Sequence, residues 1–115
     1  MEGAIDAFMV YLEEVKKKAV STRAAYHSDL RKLQGFLDGL GVSRVEDVSR
    51  TNLNSYILYL EKNCFAQTTI SRNIASIKAF YHFLFREKRV VEDIAEDLKT
   101  PRIEKRMPEI LTAKE

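Results

Sequence analysis

Apolar residues recur along this chain at helical spacing, in successive stripes separated by polar or turn-forming stretches. Ile5, Phe8, Met9, Leu12 and Val15 lie on one helical face and predict a first helix over residues 2–17. Ser21 and Thr22 are candidate N-caps for a second helix, whose stripe is Tyr26, Leu30, Leu33, Phe36, Leu37 and Leu40, with Gly41 as its stop. A connector with Val42, Val45 and Val48 leads to Ser49 or Thr51, which cap a third helix with Leu53, Tyr56, Ile57 and Leu60 inward, ending near Asn63. Thr68 or Thr69 begins a fourth, with Ile70, Ile74, Ile77, Tyr81 and Leu84 inward. Val91, Ile94, Ala95 and Leu98 predict a short fifth helix over residues 92–98, ended by Pro101. Arg102–Pro108 reads as a linker, and Ile110–Glu115, with Thr112 and Glu115 at capping spacing, as the start of another helix. The expected architecture is all-α, a compact bundle of four or five helices.

Composition sharpens this picture mainly by exclusion. With 115 residues, 45% hydrophobic and 31% charged, the chain is one globular domain. Four Gly and two Pro are few for a turn-rich β fold. Cys64 is the sole cysteine, so no intramolecular disulfide forms, and one Cys with two His falls short of a four-ligand zinc site. No apolar run approaches the roughly 20 residues that span a bilayer, and Glu2 and Asp6 are unlike the start of a signal peptide. The expectation is a cytoplasmic protein.

The net charge of +2 conceals an uneven distribution. Residues 1–15 carry four acids and no base, whereas residues 16–32 and 62–89 each carry six bases against one acid. Glu92, Asp93, Glu96 and Asp97 follow as an acidic cluster. Two basic segments flanked by acidic ones fit either a face for a polyanion or scattered solvated lysines.

Helical-wheel placement adds detail. Opposite the apolar stripe, the second helix shows Ala24, His27, Ser28, Arg31 and Gly35, and the fourth shows Ser71, Arg72, Ala75, Ser76, Ala79, His82 and Arg86. Small residues on a leading face let a helix about 10–12 Å across enter a major groove about 12 Å wide. Arginine there takes a guanine edge or clamps a phosphate, and hydroxyls and free N–H groups at the helix starts suit phosphate oxygens. The same small residues equally suit packing against another helix. His27 and His82 lack the neighbours of a catalytic base, and the acidic cluster lacks the glycine turn and ligand spacing of a calcium loop. No glycine-rich phosphate loop or nucleophile elbow is present.

Two stretches carry a resemblance. Thr22-Arg-Ala-Ala-Tyr26-His-Ser-Asp29-Leu30 resembles the T-x-x-x-Y-x-x-D-L opening of the second helix in the core-binding domain of tyrosine recombinases, the phage-integrase and Xer family. Thr69-Ile-Ser-Arg72-Asn-Ile74-Ala-Ser-Ile77-Lys78-Ala-Phe80-Tyr81-His-Phe-Leu84 resembles that family's T-I-x-R-x-L-S-A-L-R-x-F-Y-x-F-L helix. Pro101-Arg102 and Met107-Pro108-Glu-Ile-Leu111-Thr112 are similar to its hinge into the catalytic domain. Departures are Lys78 in place of arginine, Ala75-Ser76 in reversed order, and Asp93-Ile94 where Asn-Pro is frequent.

The resemblance implies a SAM-like orthogonal bundle over residues 1–100 and a hinge over 101–115, leading to a catalytic domain that lies outside this chain. It implies that the second and fourth helices grip duplex DNA, with Thr22, Arg23, His27, Arg31, Thr68, Thr69, Ser71, Arg72, Ser76 and Lys78 as contacts. It also implies no catalytic residue, metal or cofactor in this chain, and partner protomers met through the acidic first helix. The rival readings are a helical protein–protein module without DNA binding and a helix-turn-helix regulator. The latter needs a three- or four-residue turn, to which the connector over 41–50 is poorly matched.

Overall fold

A computed structural model describes residues 2–98. Four helices, α1 (Glu2–Glu14), α2 (Val20–Gly39), α3 (Arg50–Lys62) and α4 (Gln67–Arg86), are joined by short connections, with a single 3-10 turn at Val45–Asp47 before α3. The described residues contain no strand. α4 packs against each of the other three helices, and α2 packs against both α1 and α3.

The apolar stripes of α3 and α4 are buried as their spacing predicts: Leu53, Tyr56, Ile57 and Leu60 from one, Ile70, Ile74, Ile77, Tyr81 and Leu84 from the other. α4 buries more than its stripe, adding Asn73, Ser76, Phe80 and Phe83, because three neighbours cover about half its circumference. Phe8 of α1 is the aromatic hub, with its ring 5.5 Å from Phe80 and 5.4 Å from Phe83. Tyr81 donates its hydroxyl hydrogen bond to the Val45 carbonyl at 3.2 Å, which fastens the α2–α3 connector to the core.

The helix ends depart from the sequence expectations in instructive ways. α1 stops at Glu14 instead of residue 17, and Val15 is exposed, because Lys17 adopts a left-handed φ of 51°. α2, α3 and α4 close alike: Gly41, Cys64 and Lys88 have φ of 81°, 60° and 61°. The next N–H then reaches back five residues, Val42 to Leu37, Phe65 to Leu60 and Arg89 to Leu84. Only Gly41 announces such a turn in the sequence. α3 begins at Ser49 with a reciprocal cap to Asn52, as expected. The expected fifth helix is absent. Residues 94–97 form a turn in which the Asp93 carboxylate accepts from the Ala95 N–H, so the acid holds a turn that Ala95 and Leu98 anchor in the core. The expected linker and the helix start after Pro101 lie outside the described residues.

Burial pushes the Tyr56 and Tyr81 phenols well above their ordinary pKa, with smaller contributions from nearby carboxylates. The folded state therefore holds these protons more tightly than the unfolded chain, whose tyrosines ionise near pH 10. Stability conferred by the neutral phenols is complete below that pH and falls above it, by about 1.4 kcal/mol per pH unit for each group. Denaturant titrations across about pH 9–11.5 are expected to show this slope, and Tyr56→Phe is expected to halve it.

Candidate nucleic-acid interface

Half of the bases in the two basic segments lie on α2 (Arg23, Arg31, Lys32) and α4 (Arg72, Lys78, Arg86), which pack directly against each other, and the rest lie on α3 or in the connections. What joins α2 and α4 is a buried polar cluster. Asp29 of α2 has no exposed surface (0%), because it occupies the same inward helical face as Tyr26 and Leu30. Arg72 of α4 donates to it twice, Nε to Oδ2 at 3.0 Å and Nη2 to Oδ1 at 2.8 Å. The Ser76 hydroxyl donates to the same Oδ2 at 2.8 Å. The pairing is a fork on a carboxylate, the strongest geometry available to an arginine. Its hydrogen bond and then its charge raise the Arg72 pKa further above the ordinary value.

This cluster corrects one placement. Ser76 was expected on the outward face of α4, but it is fully buried, because α2 covers that side of the helix and Asp29 needs its hydroxyl. Arg72 keeps half its side chain exposed (48%) at the edge of the α2–α4 contact. Asp29 is the residue the sequence reading passed over as a stray acid in a basic segment. The available signal was its position three residues after Tyr26 and one before Leu30, within the inward stripe.

The remaining candidates are distributed over the same two helices. Arg31, Thr68 and Lys78 are exposed, while Thr22, Arg23, His27, Thr69 and Ser71 are half-buried. Arg23 donates from Nε to the Lys18 carbonyl at 3.2 Å, with Nη1 3.5 Å from Glu13, so it braces the corner between α1 and α2. Thr22 and Thr69 do not cap their helices. The N-caps are Ala19 and Ala66, neither start has a side-chain cap hydrogen bond, and neither first turn holds an acid. The hydroxyl residues Ser21, Thr22, Thr68 and Thr69 therefore sit inside the first turns, beside N–H groups without a helical acceptor. α3, by contrast, has its first turn closed by a capping box. Neither positive end is thus compensated by a cap or an acid of its own first turn, although Glu13 of α1 lies against Arg23 near the start of α2.

Acidic groups are engaged elsewhere. Arg50 at the start of α3 donates to Glu92 at 2.8 Å and lies 3.8 Å from Asp97, while Asp93 is 3.8 Å from His82 Nδ1. The acidic cluster after α4 is thus tied to α3 and to His82. No group of three or more metal-ligating side chains occurs among the described residues, and none of their helices is long and apolar enough to cross a membrane.

Fold and surface define an all-α domain of SAM-like architecture, with two adjacent helices that each carry more bases than acids. The sequence profile of the phage integrase N-terminal SAM-like domain matches residues 5–88, and the chain belongs to that family. Similar curated proteins are tyrosine recombinases. XerC of Halalkalibacterium halodurans is 31% identical over 96% of this chain and 37% of its own length. XerC of a Roseiflexus species is 30% identical over 97% of the chain and 36% of its own length. XerD of Shewanella oneidensis is 30% identical over 94% of the chain and 36% of its own length. The chain spans well under half the length of the curated relatives it matches. No solved structure matches it.

Proposed function

We propose that this chain is the core-binding domain of a site-specific tyrosine recombinase or integrase, gripping duplex DNA with α2 and α4. The observation that supports this reading is the adjacency of α2 and α4, each carrying three basic side chains and each with an uncapped, acid-free start. Thr22, Thr68, Thr69 and Ser71 are phosphate contacts at the helix starts. Arg23, His27, Arg31, Arg72 and Lys78 supply cationic or hydrogen-bonding contacts along the two helices. Ser76 acts from the interior. Residues 1–100 form this unit, and 101–115 lead toward a catalytic domain. Strand exchange through a phosphotyrosine belongs to that domain, in the cytoplasm and without a nucleotide cofactor. The acidic α1 faces a neighbouring protomer, away from phosphate, which would repel it.

Fluorescence anisotropy on duplex DNA, titrated with salt, tests this. Each phosphate contact contributes about −0.9 to the log–log salt slope, so a slope of several units is expected. Lys78→Gln, at an exposed position, is expected to reduce the slope by about 0.9 while leaving the fold intact. Salt-independent or undetectable binding at low ionic strength would favour the protein–protein module, for which exposed Leu40, Leu58 and Tyr59 offer apolar surface.

A further inference from the structure

The Asp29–Arg72 pair raises a question of sign. A carboxylate beside a DNA-facing arginine lowers the positive potential there, and a surface built only for charge would omit it. Asp29 is nevertheless wholly enclosed, and it is bonded by two side chains of the helix opposite. Its geometry accounts for its presence. Arg72 commits Nε and Nη2 to the carboxylate, so the plane of the guanidinium is fixed. The other N–H groups, including both on Nη1, remain for a second acceptor, on a side chain that is 48% exposed. Ser76 prevents the carboxylate from rotating by holding Oδ2, and its own position is fixed because its hydroxyl also lies 3.1 Å from the Arg72 carbonyl.

We propose that Asp29 is a positioning residue for nucleic-acid binding: it locks Arg72 across the α2–α4 contact so that the outer edge of the guanidinium meets a DNA phosphate already oriented. This inference rests on the DNA-gripping reading above. An unanchored arginine loses several rotatable bonds' worth of freedom on binding, whereas Arg72 has already been ordered by folding. The buried carboxylate thus trades long-range attraction for pre-organisation.

The two effects predict opposite results for Asp29→Asn, a near-isosteric change that removes one negative charge from the candidate interface. If charge alone governs binding, the variant binds DNA more tightly than wild type. If Asp29 positions Arg72, the variant binds about three- to tenfold more weakly, as expected for a degraded charge-assisted contact. Its salt slope also falls by about 0.9. A merely structural loss would lower the active fraction and leave the slope unchanged. Arg72→Lys is the second variant. It keeps the charge and a donor for Asp29 but has no fork, and it is expected to weaken binding similarly. Circular dichroism and thermal melts establish that each variant is folded, and if Asp29→Asn is not, Arg72→Lys decides. Binding by the folded variants equal to or tighter than wild type overturns the positioning role. Absence of salt-dependent binding by wild type itself overturns the DNA-gripping reading, a distinguishable failure.

Discussion

Arg72→Leu is expected to destabilise the domain by about 3–5 kcal/mol, the range observed when one partner of a buried ion pair is removed. The magnitude follows from which partner stays behind. Asp29 is fully enclosed, and without Arg72 its carboxylate retains the Ser76 hydroxyl as a donor and no counter-charge from the fork. Removing the other partner is milder. In Asp29→Asn the half-exposed Arg72 head remains solvated, and the loss is about 1–3 kcal/mol. The asymmetry is itself a prediction, and equilibrium urea unfolding of the two variants checks it. The double variant Asp29→Leu/Arg72→Leu is expected to be more stable than Arg72→Leu alone, because no buried charge is then left unpaired. Equal losses for both single variants would mean that the pair is solvated and contributes as a surface bridge.

The same asymmetry governs how the proposed DNA-binding surface should be probed. Charge reversal at Arg72 places two carboxylates together across the α2–α4 contact, so its loss of DNA binding would report unfolding. Lys78 is exposed and makes no comparable contact among the described residues, so it reports on the surface itself.

This buried pair also marks the boundary of what the sequence discloses. Periodicity identified the inward faces of α3 and α4 because those stripes are apolar and run for about two turns in α3 and four in α4. It located Gly41 because a left-handed turn has a residue preference. The turns at Lys17, Cys64 and Lys88 carry no such signature: a non-glycine residue is held there by the packing that follows. The starts of α2 and α4 were misplaced by two or three residues because Ser, Thr and Asp signal caps only when they occupy the cap. Here alanine does, at Ala19 and Ala66. Wheel placement puts Ser76 outward, and Asp29 reads only as the lone acid of a basic segment. Their partners lie 43 and 47 residues apart in the chain, and no local pattern encodes a hydrogen bond across that distance. The family motif did contain Asp29 and Arg72, but as separate letters on separate helices. The helices and the family motifs were thus legible, whereas the cross-helix bonds that hold Asp29, Arg72 and Ser76 were not.

Phe8→Ala is expected to cost about 3–5 kcal/mol, comparable to the loss of Arg72 but through dispersion and cavity formation instead of charge. Phe8 is the point at which α1 engages both principal helices. Its ring stacks at 6.3 Å from Tyr26 of α2, meets Phe80 of α4 edge-on at 5.5 Å, and lies 5.4 Å from Phe83. Truncation removes these ring contacts and a fourth with Tyr11 at 6.3 Å, each worth about 0.5–1.5 kcal/mol beyond area burial. The cavity left behind opens between α1 and the α2–α4 pair, beside the buried Ile5 and Leu12 of the same stripe. A melting-temperature fall of more than about 12 °C follows for a domain of this length. Because α1 carries the acidic face assigned to a neighbouring protomer, loosening it separates two roles that the fold otherwise couples. The proposed contacts of α2 and α4 to DNA, held by the Asp29 cluster in that proposal, are expected to survive in the fraction that stays folded, with the wild-type salt slope. Assembly through α1 is expected to fail. A folded Phe8→Ala domain with an altered salt slope would instead mean that α1 sets the α2–α4 geometry directly.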